Sequence, residues 1–88
     1  MIEQIITITN RAGVHARPAA MVVQTTKNFN SNIYFEKGPN RINAKSIMGV
    51  ITLGATFGTE IKIIAEGEDE QAAVQTLVRL FESKFEEE

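Results

Sequence analysis

Apolar and β-branched positions alternate over residues 2–8, with Ile6 and Ile8 interleaved by Thr7 and Thr9. That period of two predicts a strand. Asn10-Arg11-Ala12-Gly13 is turn-rich and interrupts it. From residue 16 the period lengthens, and the pattern predicts a helix over 16–27. Pro18 falls in its first turn, where a missing N–H costs nothing. Ala19, Ala20 and Val23 give this helix a small-residue face suited to close packing on a sheet. The Asn- and Ser-rich run 28–32 ends it.

A second strand is expected at 33–36, a turn at 38–40 and a short third strand at 41–43, together forming a hairpin. Ile47, Val50, Ile51 and Gly54 then follow i, i+3, i+4, i+7 spacing behind Ser46. This predicts a short helix over 47–53 stopped by Gly54, although Gly49 weakens it. A fourth strand is expected at 61–65. The most regular helix is expected over 70–84, with Val74, Leu77, Val78, Phe81 and Phe85 as its apolar stripe, and Asp69 and Glu70 suiting its positive end. Glu86, Glu87 and Glu88 are expected to form a frayed, solvated tail.

The resulting order is β-α-β-β-α-β-α. It predicts one α+β domain spanning residues 1–88, a two-layer open-faced sandwich. Its four-stranded antiparallel sheet carries three helices on one face.

Composition narrows the function. There is no Cys, so thiol catalysis, thiolate metal sites and disulfides are excluded, and a reducing compartment fits. A single His without clustered carboxylates argues against a metal centre. No apolar run reaches the roughly 20 residues of a membrane span, and the N-terminal residues carry no signal-type core. The expectation is a cytoplasmic protein without membrane insertion. The net charge of −2 disfavours nucleic acid as a partner. The charge is uneven: residues 1–60 hold six basic and three acidic side chains, and residues 61–88 three basic and eight acidic. A basic N-terminal surface attracts acidic proteins.

His15 falls where the first turn meets the first helix. A neutral ring nitrogen there can accept a phosphoryl group. The free amides of a helix start suit the resulting dianion. Arg17 adds a permanent positive charge two residues on, Pro18 stiffens the turn, and Gly13 permits an unusual backbone angle. Read by itself, a lone His at such a place is most often surface decoration.

The run Gly13-Val14-His15-Ala16-Arg17-Pro18-Ala19 resembles the active-centre motif of the HPr family, the histidine-containing phosphocarriers of the bacterial phosphoenolpyruvate:sugar phosphotransferase system. Asn43-Ala44-Lys45-Ser46-Ile47-Met48-Gly49 resembles the family's regulatory serine segment. The element order matches across essentially the whole chain. The resemblance implies that His15 takes phosphate on Nδ1 from phosphorylated enzyme I and hands it to EIIA domains of sugar permeases. It implies that Arg17 stabilises the phosphoryl group and that Pro18 shapes the helix start. It makes Ser46 the target of an ATP-dependent HPr kinase/phosphorylase. Arg17, Ala20, Ile47, Met48 and Ile51 become the partner-facing set, and transcriptional regulators of carbon metabolism become further partners. No cofactor is implied. The related catabolite-repression HPr homologues carry Gln where this chain has His15. An alternative role is therefore mainly regulatory signalling through Ser46. Family members often have Ser, Thr or Asn where this chain has Ala12, so the resemblance implies that a local side-chain hydrogen bond near the histidine is missing here.

Ser46 reads structurally as a helix N-cap, a role that leaves room for regulation. Ile47, Met48 and Ile51 divide between burial and an outward docking patch near His15, with Met48 outward; Met suits a surface that meets several partners. Phe29 and Phe57 are expected to pack in the core or against loops. Two rival classes share the element order or layer type. An RNA-recognition module needs exposed strand aromatics and a basic surface, whereas Tyr34 and Phe35 fall on opposite faces of one strand. A hydrolase of acyl phosphates needs a phosphate-cradling loop, which residues 10–13 only faintly echo. No carboxylate lies within several residues of His15 to activate water; the nearest in sequence are Glu3 and Glu36. A stoichiometric carrier, rather than a turnover enzyme, is the better description.

Overall fold

The computed structural model describes residues 1–86 of the chain, with the side chain of Glu86 outside that description. The elements are β1 (Ile2–Thr7), α1 (Ala16–Thr26), β2 (Asn32–Lys37), β3 (Asn40–Asn43), α2 (Ile47–Leu53), β4 (Glu60–Glu66) and α3 (Glu70–Glu82), followed by a 3₁₀ turn, Lys84–Glu86. All pairings are antiparallel, in the order β1-β4-β2-β3. β4 therefore fills the slot that the β1-α1-β2 crossover leaves open, giving two interleaved split β-α-β units.

The expected α+β open-faced sandwich is the observed architecture. Ile33 and Phe35 of β2 and Ile61, Ile63 and Ala65 of β4 point into the layer beneath the helices, where all five are buried. Alternation places Tyr34, Glu36 and Lys62 on the outer face. There Arg41 lies over the Tyr34 ring, 5.3 Å from its centroid. From the helical side Ala19, Val22, Val23, Val50, Leu53, Val74, Leu77 and Phe81 complete the core.

Several boundaries differ from the sequence expectation: β1 is one residue shorter, and β2 and β4 are each one residue longer at both ends. The hairpin turn is tighter, because Asn40 already pairs with Lys37. Gly38 at φ +57, followed by the fixed negative φ of Pro39, has the sign pattern of a two-residue II′ turn. The first helix closes at Thr26, with Lys27 as its C-cap. The third helix stops at Glu82, because Lys84 and Phe85 take left-handed backbone angles, φ 55 and 56. Phe85 thus reaches the core by a reversal of the chain rather than along the helix stripe, and packs edge-on to Phe81 with centroids 5.0 Å apart. Of the tail expected at Glu86, Glu87 and Glu88, the last two residues lie outside the described residues.

Gly49 is explained by proximity. A Cβ there would stand 3.3 Å from the Asn43 carbonyl oxygen and 3.4 Å from Ile42 Cβ, so α2 crosses close over β3. Among the described residues no helix is long and apolar enough to cross a membrane.

Candidate functional site

The register of the sheet assembles the site. Thr7 of β1 faces Glu60 of β4, so the chain leaving β1 and the chain entering β4 emerge at the same end. Residues 8–15 and 54–59 are thereby forced together and bond to each other. Ile8 donates its amide to the Thr59 carbonyl at 2.9 Å, and Gly58 donates to Ile8 at 2.8 Å. Farther along, the Val14 amide donates to the Ala55 carbonyl at 2.9 Å.

Within the first loop Asn10 acts as an internal tie. It is buried; its Nδ2 donates to the Gly13 carbonyl at 2.6 Å, and its own carbonyl accepts from the Gly13 amide at 3.1 Å. Gly13 has φ +71, and a Cβ on it would lie 2.7 Å from the Ala55 carbonyl oxygen. The glycine expected to permit an unusual angle does so, and it also admits the neighbouring backbone. Val14 is buried. His15 therefore follows two residues fixed from both sides.

His15 is the N-cap of α1, with extended backbone angles (φ −92, ψ −164), and its side chain makes no capping hydrogen bond. Its carbonyl accepts from the Ala19 amide at 2.9 Å, closing the first turn. Helix geometry leaves the amides of Ala16 and Arg17 without an intrahelical acceptor, and Pro18 has none to leave. His15 and Arg17 are exposed, Pro18 is buried and Ala20 is half-buried. Glu3 and Glu36 are engaged on the outer face of the sheet, with Lys62 at 3.8 Å and Arg41 at 2.8 Å.

Ser46 caps α2, its Oγ accepting from the Gly49 amide at 3.1 Å. Gly54 ends the helix at φ 69. The chain order places Ser46 at the start of α2 and Ala55, which holds Val14, just past its end. Seven residues at 1.5 Å each put roughly 10 Å of helix between the two ends. Ile47 is 42% exposed and Met48 63%, while Ile51 is half-buried and packs against the core. Of the three, Ile47 and Met48 are thus the exposed side chains and Ile51 is the inward one.

Phe29 packs against the core as expected, but Phe57 does not: it is 62% exposed. The error has a physical source. Composition favours burial of any Phe, whereas the tight 56–59 turn carries this one away from the core. The role of Asn10 was also missed, since turn composition does not reveal whether an Asn side chain points in or out.

Known proteins share the sequence and the fold of this chain. A family model described as the PTS HPr component phosphorylation site matches residues 2–83. The phosphocarrier protein HPr of Treponema pallidum (strain Nichols) is 49% identical over 88 residues, covering all of both chains. The HPr-like protein Crh of Bacillus subtilis (strain 168) is 44% identical over 77 residues, 88% of this chain and 91% of that protein. A crystal structure of HPr-C-His from Thermoanaerobacter tengcongensis, at 52% identity, covers 100% of this chain and 99% of its own, with a TM-score of 0.96. Sequence and fold therefore place the chain in the HPr family, the phosphocarriers of the phosphotransferase system.

Proposed function

We propose that His15 carries the phosphoryl group, taking it from phosphorylated enzyme I and passing it to EIIA domains of sugar permeases in the cytoplasm. The observation that carries this reading is the rigidly held N-cap position of His15. An exposed imidazole stands beside a helix start whose first amides lack intrahelical acceptors, with Arg17 in the same turn. In transfer, the ring lone pair attacks phosphorus while the bond to the donor breaks and the donor keeps its electron pair. The helix start and Arg17 then hold the phosphate oxygens. Pro18, buried in the first turn, fixes the geometry.

A carrier must also avoid hydrolysis. The two carboxylates nearest to His15 in sequence, Glu3 and Glu36, are paired on the outer face of the sheet, which supports a relay over a water-activating enzyme. The docking partner completes the transition-state site, since phosphoryl transfer chiefly needs positioning and electrostatics. Arg17, Ala20, Ile47, Met48 and Ile51 are the proposed contact residues, and Ser46 is the proposed target of an HPr kinase/phosphorylase. Similarity to Crh supports a signalling role for Ser46, which operates beside transfer in a chain that retains His15.

Incubation with enzyme I and labelled phosphoenolpyruvate tests the carrier role. The wild type takes up one acid-labile, alkali-stable label, and His15→Ala takes up none. Uptake by His15→Ala, or release of free phosphate in place of labelling, overturns the reading.

A further inference from the structure

The turn after α2 presents an aromatic side chain beside the His15 segment. Thr59 donates its amide to the Thr56 carbonyl at 3.0 Å, and Gly58 at φ +85 occupies the third position, as a type II turn requires. The Thr56 amide donates to Thr59 Oγ1 at 3.2 Å. The Gly58 bond to Ile8 fastens the turn to the exit of β1. Phe57, at the second position, therefore sits on a backbone held from both sides while its ring is 62% exposed.

A single exposed apolar residue needs no explanation. Phe57 is not isolated. Five large apolar side chains are exposed among the described residues, and three of them, Ile47, Met48 and Phe57, lie on α2 or the turn that follows it. The three are not equivalent in place. Ile47 and Met48 belong to the first turn of α2, next to Ser46. Phe57 belongs to the other end, two residues beyond Ala55, whose carbonyl holds Val14. Thr56 lies against Gly13, its Cα 3.1 Å from where a Cβ would stand. Phe57 is thus the exposed apolar residue attached most directly to the support of His15.

We infer that Phe57 is a docking anchor for the protein that donates phosphate to His15, a partner with an apolar hollow bordered by carboxylates. This rests on the reading of His15 as the phosphoryl acceptor. The hollow follows from the ring. Its acidic border follows from Arg17, exposed in the first turn of α1 next to the segment that Phe57 adjoins, and from the basic excess of residues 1–60. Buried aromatic anchors dominate interface energies. One mounted on a pre-tied turn loses little conformational freedom on docking.

Steady-state phosphorylation of this chain by enzyme I and phosphoenolpyruvate, with the chain as varied substrate, tests the inference. For Phe57→Ser, KM rises about tenfold, the scale of an interface hot spot, and kcat at saturation is unchanged. Phe57→Tyr, which keeps the ring, stays near the wild-type KM. The denaturation midpoint of Phe57→Ser stays at the wild-type value, because the ring covers no core. A wild-type KM in Phe57→Ser, or a fall in kcat with KM unchanged, overturns the anchor while leaving the carrier role intact. A wild-type chain that takes no label overturns the carrier role and the anchor together.

Discussion

Val14 donates its amide to the Ala55 carbonyl at 2.9 Å, so the residue before His15 is fastened to the chain that has just left α2. The same carbonyl oxygen would stand 2.7 Å from a Cβ on Gly13. A methyl group at position 13 meets two penalties. It strains a backbone at φ +71, and it pushes against an oxygen already committed to Val14. Gly13→Ala should cost about 2–4 kcal/mol of stability, combining left-handed strain with overpacking. Urea unfolding measures this. Phosphorylation of His15 at temperatures where the variant is folded should also slow, because the helix start shifts. An unchanged midpoint would mean that the two loops separate freely.

At the opposite end of the sheet Asp69 performs a similar tying function. Its Oδ1 accepts from the Ser31 amide at 2.9 Å and from the Ser31 hydroxyl, and its Oδ2 accepts from the Asn30 amide at 2.8 Å. The Ser31 hydroxyl, followed by the Asn30 amide, lowers the Asp69 pKa below its ordinary 3.8. A carboxylate with a depressed folded-state pKa contributes stability above the unfolded value and loses it as pH falls through the folded one. The stability gap between wild type and Asp69→Asn should therefore be constant at neutral pH and narrow as the pH falls below about 3.8. Acid titration of the unfolding midpoint reads this directly. A gap independent of pH would show that the carboxylate charge contributes nothing.

How much of this was legible in the chain depends on which forces set each feature. The strands and α2 were readable because local pattern and tertiary demand coincide. Ile33 and Phe35 are both β formers and core residues, and Ser46 and Gly54 cap α2 with the chemistry their types favour. His15 was placed correctly at its N-cap because Pro18 and the Gly13 turn bracket the helix start. The end of α3 was not readable, since nothing local to Ser83, Lys84 or Phe85 forbids another helical turn; the core's claim on the Phe85 ring sets the reversal. The order β1-β4-β2-β3 is likewise a matter of long-range pairing. With it comes the meeting of residues 13–14 with 55–56, on which the site rests.

Phe85 makes that tertiary claim measurable. It is fully buried, its ring is edge-on to Phe81, and Phe81 is edge-on to Phe35 at 5.8 Å. Phe85→Ala should destabilise the domain by about 3–5 kcal/mol, through lost transfer energy and the cavity left behind. Phe85→Leu should recover much of it. Thermal melting distinguishes this from a peripheral role, in which Phe85→Ala would melt within a degree or two of the wild type.

Ser46 caps α2 at the end away from the support of His15, and this separation dictates how its charge can act. Ser46→Ala removes the acceptor for the Gly49 amide and should cost about 1 kcal/mol. Ser46→Asp keeps an acceptor and places a negative charge at a helix start, so stability should hold near wild type. The aspartate would lie at the start of α2, roughly 10 Å of helix from the end that leads to Ala55, and it adjoins Ile47 and Met48 on the exposed surface. Its effect on phosphotransfer from enzyme I should therefore fall on docking. KM should rise severalfold with kcat unchanged, and the difference should shrink as salt screens the added charge. Kinetics at two ionic strengths decide the point. A loss of kcat at saturating carrier would require Ser46 to act on His15 through the fold, and an unchanged KM would remove Ser46 from enzyme I recognition.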